Sequence, residues 1–163
     1  MLVPAILYKD EIISKVREYF YTNDMLYETG GMDNRTPNIV DCPDKFHFQY
    51  AIVTPSEDGQ NKLIGYLAYV VDWYSDKAYG FVLFSFDRGN PVIGKEVFNK
   101  LEDLVNRFHR VEWWAVSGNP ACKNYDSFIK RHNGSKYILK DSFKDKDGNY
   151  RDSIVYEIIK RRE

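Results

Sequence analysis

Cysteine and histidine are scarce in this chain, and no charge or apolar run dominates it. The two cysteines, Cys42 and Cys122, stand in no metal-ligand spacing, so the expectation is reduced thiols in a cytoplasmic protein rather than a disulfide or zinc framework. The three histidines, His47, His109 and His132, share no ligand spacing either, so no metal is expected. Net charge is −1 with 29% of residues charged, which removes the basic excess a general nucleic-acid binder needs. The ending Lys160-Arg161-Arg162 reads as a solvated tail. No apolar run approaches the roughly 20 residues of a membrane helix, and the N-terminus lacks the basic-then-apolar pattern of a signal peptide. No membrane partner is expected. Internal repeats, low-complexity tracts and a serine nucleophile elbow are also missing.

What is present is a chain of 163 residues, 44% hydrophobic, long enough for one domain with a substantial core and too short for two. A helix is expected from about Asp10, with Ile12, Ile13, Val16, Tyr19 and Phe20 on one side. Pro4 weakens a short strand over Val3 to Tyr8. Met25 to Thr29 reads as a further helical turn ended by Gly30-Gly31, and Met32 to Asp44 as a loop bordering a cleft. From Lys45 the period becomes two: Phe46, Phe48, Tyr50 and Ile52 alternate with His47, Gln49, Ala51 and Val53. A second strand from Leu63 to Trp73 and a third from Tyr79 complete an antiparallel meander joined by polar turns.

The stretch from Tyr79 to Gly134 organises the rest. Tyr79 to Phe86 is apolar and uncharged, and reads as a strand buried on both faces. The break Asp87-Arg88-Gly89-Asn90-Pro91 leads into a helix with Val97, Phe98, Leu101, Leu104, Val105 and Phe108 as its stripe. A strand from Val111 to Val116 follows, then Gly118-Asn119-Pro120, with Asn119 as helix N-cap and Pro120 at the first helical position. Strand, glycine-bearing turn and helix form a unit that can hold an anion on unpaired backbone N–H groups. Lys136 to Leu139 and Ser153 to Ile159 are two final strands, joined through Asp147-Gly148. The whole reads as an α+β fold: a mixed, mainly antiparallel central sheet with helices on its faces.

This order resembles the GNAT family of acyl-CoA-dependent N-acyltransferases over nearly the whole chain. Gly94 matches the last position of the family's pyrophosphate loop; Val92 stands where its first glycine belongs, and Arg88 lies one residue from its basic position. Asn119-Pro120-Ala121-Cys122-Lys123-Asn124-Tyr125 is similar to the family's Asn-x-x-Ala-x-x-x-Tyr segment with one residue missing. Gly148-Asn149-Tyr150-Arg151-Asp152 resembles the sequence leading into its last strand. The resemblance implies that acetyl-CoA lies between splayed strands, against Ser85, Phe86, Asp87, Arg88, Gly89, Val92, Ile93, Gly94, Lys95 and Asn119. It implies Tyr125 as general acid toward the thioester sulfur, with Phe128 as the other residue able to occupy that place. The loop Tyr27 to Asp44 and the turn at Asp72-Trp73 are implied, by position, to border the site of a small-molecule or peptide amine, and acidic groups there would suit a cationic one. Self-association into a homodimer also stands among the expectations.

Acyl transfer needs a neutral amine, a polarised carbonyl and a protonated leaving thiolate. A backbone N–H around Ser85 to Asp87 is expected to polarise the carbonyl. Asp72 and Glu112 are the nearest carboxylates, and neither is assigned as base. The same loop spells Gly89-Asn90-Pro91-Val92-Ile93-Gly94-Lys95, the start of a phosphate-binding P-loop. Glu96 occupies the Mg²⁺-ligand position, Pro91 removes a cradle N–H, and the preceding meander is antiparallel, so a nucleotidase is rejected. The remaining alternative is a non-catalytic member of the same fold that binds CoA or a protein.

Overall fold

The computed structural model describes residues 1–22, 25–31, 36–40, 44–56 and 59–160. Cys42, the Asp33-Asn34 pair of the expected loop, Glu57 and Asp58 of the first polar turn and the Arg161-Arg162 end lie outside the described residues.

The first residues form a short strand, β1 (Leu2–Pro4), and a 3-10 turn rather than a strand running to Tyr8. Pro4 at the strand end accounts for the break. Helix α1 (Lys9–Thr22) buries Ile12 and Val16, one turn apart, while Asp10 and Glu11 in its first turn complement the helix dipole. A second helix of one turn, α2 (Leu26–Thr29), ends at Gly30 in a left-handed conformation, φ +83°.

Strands β2 (His47–Pro55), β3 (Asn61–Asp72) and β4 (Lys77–Ser85) form the expected meander. Helix α3 (Pro91–Arg107) starts on Asn90, whose side chain accepts the Val92 N–H, and buries Ile93, Val97, Leu101, Leu104 and Val105. Strand β5 (Arg110–Val116), helix α4 (Cys122–Arg131), β6 (Ser135–Lys144) and β7 (Tyr150–Ile159) complete the chain. The described strands make one seven-stranded sheet of order β1-β2-β3-β4-β5-β7-β6. Every neighbouring pair is antiparallel except β4 with β5. No helix of the described residues is long and apolar enough to cross a membrane.

Two apolar cores follow from strand alternation. Leu67, Tyr69, Trp113 and Tyr156 face α3 and α4, where Val97, Leu101 and Phe128 meet them. Tyr66, Phe84, Val53 and Leu63 face the other way onto Ile12 and Val16 of α1. Strand β4 departs from expectation: Phe81, Val82 and Leu83 are only half-buried, and Phe84 is its one buried residue beyond Ala78. The reason lies in its neighbour.

Candidate active site between the parallel strands

Strands β4 and β5 pair only at Lys77–Arg110 and Ala78–Val111, then diverge. The Phe86 N–H donates to the Ile64 carbonyl at 2.9 Å, so the Leu83 and Ser85 amides, one residue out of phase, point toward β5. On the facing strand the Ser117 N–H donates to Asp152 at 2.9 Å, which turns the Trp114 and Val116 amides toward β4. Two strand edges therefore face each other with no strand between them. Polar backbone of this kind pairs with an extended ligand that carries its own amides.

The gap is a cavity of about 460 Å³, within the usual span of small-molecule sites. One side is apolar, built from Leu83, Ile93, Val97, Phe98, Trp113 and Ala115. The cavity also reaches Tyr27 and Glu28 of α2 and Trp114, so it draws its walls from both layers of the protein. Trp113 lines the cavity, and its buried Nε1 has no hydrogen-bond partner among the described residues.

Tyr125 projects from α4 into this wall. Its ring packs against Phe98, Trp113 and Tyr156 with centroids 5.6, 5.7 and 5.4 Å away. Burial, with a smaller contribution from Cys122, pushes its hydroxyl pKa up to about 12. Phe128, the other residue considered for this place, is buried in the core and is not part of the cavity lining. Asn119 also borders the cavity, but it is not the cap of the helix proper. Its Oδ1 accepts the Ala121 N–H at 3.0 Å and its carbonyl accepts Cys122 N–H, so it closes the turn that precedes α4.

Ser85, Arg88, Gly89, Ile93, Gly94, Asn119, Tyr125 and Tyr27 all line the cavity. Phe86, Asp87, Val92 and Lys95 do not. The Phe86 N–H is spent on Ile64, and its ring lies on the opposite face against Tyr19 and Phe84. The Asp87 carboxylate accepts from Asn90 Nδ2 at 3.0 Å. The Val92 N–H is capped by Asn90 Oδ1 at 3.0 Å, and Lys95 is exposed on the outer side of α3. Helix α3 thus begins largely self-satisfied, because Pro91 has no N–H and the Ile93 N–H turns to the Asn90 carbonyl at 3.2 Å.

Asp72 and Trp73 lie at the far end of β4, about 25 Å of strand from Ser85. The Asp72 carboxylate binds the Tyr74 and Ser75 amides and the Ser75 hydroxyl, whose hydrogen bonds hold its pKa below the usual carboxylate range. The Trp73 Nε1 donates to the Lys45 carbonyl at 2.7 Å. Glu112 is bound to Lys77 at 2.6 Å and to Arg110 at 2.9 Å, at the closed end of the gap. Burial raises its pKa, and these two partners outweigh that and leave it lowered. None of these carboxylates reaches the cavity.

Glu28 does; it lies in the loop Tyr27 to Asp44 expected to border the acceptor site, though the sequence did not single it out. Its side chain is 7% exposed, Oε1 is 2.9 Å from Arg88 Nη2, and Oε2 is buried with no hydrogen-bond partner among the described residues. Arg88 Nε also donates to the Tyr19 hydroxyl. The pKa of that hydroxyl is raised by burial and by the nearby Glu28 carboxylate. A lone acid on a one-turn helix has no periodicity or motif to mark it. The only signal available was its place in the segment expected to border a cleft.

No family model and no curated protein matches the chain. Solved structures do. A candidate phosphinothricin N-acetyltransferase superposes with a TM-score of 0.68 at 12% identity, over 99% of each chain. A ribosomal-protein alanine N-acetyltransferase from Escherichia coli gives 0.54 at 16% identity, over 74% of each chain. The spermidine/spermine N-acetyltransferase of Vibrio cholerae gives 0.51 at 14% identity, over 71% of this chain and 66% of that one. The chain thus spans slightly under two thirds of the length of the Vibrio protein. At these identities the likeness establishes the fold, and the fold is the GNAT N-acyltransferase fold expected from the sequence.

Proposed function

We propose that the protein is an N-acetyltransferase that takes its acetyl group from acetyl-CoA and gives it to an amine. The observation that carries this reading is the divergence of β4 from β5, which opens a cavity with free strand edges on both sides and Tyr125 in its wall. A pantetheine arm fits such a cavity. Its two amides match the free edges at Leu83 and Ser85. Arg88, Gly89 and Gly94 are the residues at the mouth that would meet the phosphates.

When bound, acetyl-CoA supplies an activated acyl group on a thioester. The protein's own part is to orient and to move protons. The Leu83 or Ser85 N–H, rather than that of Phe86, is free to polarise the carbonyl oxygen. Tyr125 is protonated at neutral pH, as a phenol of ordinary pKa near 10 already is and burial reinforces, so it has a proton to give to a leaving thiolate. The apolar walls exclude water that would otherwise hydrolyse the thioester. A cytoplasmic setting, where acetyl-CoA is available, belongs to the same reading.

One observation favours a second reading, a non-catalytic protein on the same fold. Asn90 and Pro91 leave the α3 N-terminus with few amides for a pyrophosphate. Calorimetric titration with acetyl-CoA, and separately with ATP–Mg²⁺, separates the two when followed by thiol release across a panel of amines. Micromolar acetyl-CoA binding with amine-dependent thiol release is the expected result. Binding without turnover on any amine would favour the second reading, and no acetyl-CoA binding by folded protein would sink the first.

A further inference from the structure

We propose that Glu28 is the acceptor site: its Oε2 receives the ammonium group of a cationic amine and removes a proton from it before acyl transfer. The inference rests on the acyltransferase reading for its second half only, because binding of the amine needs no donor.

The observation behind it is an unmet hydrogen-bonding demand. A carboxylate oxygen shut away from water without a partner is costly, and native proteins rarely keep one without a use. Glu28 is such a group: Arg88 satisfies Oε1 and holds the carboxylate in place, the Tyr19 hydroxyl lies close enough for the carboxylate to raise its pKa, and Oε2 has no hydrogen-bond partner among the described residues. The same side chain lines the cavity that contains Tyr125 and Ser85. Its helix, α2, packs against both diverging strands, so Glu28 stands over the gap on the side away from α3. The donor arm and the amine would therefore approach the gap from opposite layers.

The neighbouring groups narrow the amine. Tyr27 and Trp114 line the same cavity as Glu28, and Phe143 stacks on Trp114 at 5.4 Å while abutting Gly30. Aromatic faces beside a carboxylate suit an alkylammonium on an apolar or aromatic body. A carboxylate on the acceptor next to its nitrogen would meet the Glu28 charge and be repelled. The structure thus points to a primary amine without an adjacent acid group.

The proton and electron accounts close. The ammonium gives one proton to Glu28, which passes it to solvent. The nitrogen lone pair forms the N–C bond to the acetyl carbon, and the C–S bond breaks with its electron pair left on sulfur. Sulfur takes the Tyr125 proton, and Tyr125 recovers one from the nitrogen as the amide forms. The products are the N-acetylated amine, the free thiol and one proton.

The test is calorimetric binding of benzylamine and of putrescine to the full chain without donor, with benzyl alcohol as uncharged control. Wild-type protein is expected to bind at least one amine saturably and not the alcohol. Glu28→Gln, which keeps the volume and still accepts from Arg88, is expected to weaken amine binding about 10- to 100-fold. Glu28→Asp should recover part of that loss, and thermal melting reports whether each variant is folded. Acetyl-CoA titration of the three proteins reports separately on Arg88, which Glu28 holds at the mouth of the cavity. Equal amine affinity in wild type and Glu28→Gln, or no saturable amine binding at all, would overturn the proposal. Glu28-dependent amine binding in a protein that ignores acetyl-CoA would leave the amine site standing and overturn the transfer reading instead.

Discussion

Ala78 pairs with Val111, and no residue of β4 beyond it meets β5. The next residue but one, Gly80, has φ +64°, and the register of β3 against β4 shifts there, between Ala68 and Val70. A glycine in the left-handed region at a bulge bends its strand and increases the local twist. That bend carries the rest of β4 away from β5 and opens the cavity.

Gly80→Ala therefore tests the hinge of the site. A Cβ there meets only Val70 at ordinary distance, 3.5 Å, so the penalty is conformational. The variant is expected to lose about 1–2 kcal/mol of stability in urea unfolding. Acetyl-CoA affinity should fall with it, since relief of the strain would draw β4 toward a flatter course.

Gly94 should show opposite signs. It lies in the first turns of α3, and nothing stands within 4 Å of a Cβ placed on it. Gly94→Ala is expected to raise stability by roughly 0.5–1 kcal/mol through helix propensity. It lines the mouth of the cavity, so the added methyl should weaken acetyl-CoA binding. Melting and calorimetry on one preparation check both. A variant that gained stability and kept full affinity would place the phosphates elsewhere.

Tyr125→Phe should separate chemistry from binding. The ring contacts with Phe98, Trp113 and Tyr156 survive the change, so fold and acetyl-CoA affinity are expected to hold. Turnover measured by thiol release should drop about a hundredfold or more. A rise in KM with kcat unchanged would count against the hydroxyl as proton donor.

Alkali should unfold the protein through its buried phenols, Tyr69 and Tyr156 among them. Burial pushes Tyr66 and Tyr125 up to about 12, whereas an unfolded tyrosine titrates near 10. The folded pKa is the higher one, so each ring's contribution is complete below about pH 10. It is lost as pH rises toward 12, because the unfolded chain ionises first. The loss is on the order of 2 kcal/mol per ring. Near-ultraviolet absorbance should show these buried phenols titrating only together with the loss of circular dichroism.

Much of the architecture follows from local pattern. The stripe Val97, Leu101, Leu104 and Val105 made α3 a helix, and Asn90-Pro91 marked its start. Alternation marked β2 and β3, and Asp147-Gly148 marked the last turn. These signals are legible because a helix or strand must present one face to the core within a few residues of chain. Lining residues such as Ile93 and Gly94 were legible too, through the order of elements and their resemblance to a known loop.

Partnership across distant segments was decided only on folding. The apolar run of β4 reads as a doubly buried strand, yet Phe81 and Leu83 line a cleft, and a sequence cannot separate apolar core from apolar cavity wall because both exclude water. Asp72 and Glu112 looked like the nearest carboxylates, and both are tied up outside the cavity. Glu28 became the buried acid of the site by meeting Arg88, 60 residues later in the chain. The sequence by itself determined which segments would be helix and strand. Where β5 parts from β4, and which acid is left facing the gap, were settled by contacts between residues with no local relation to one another.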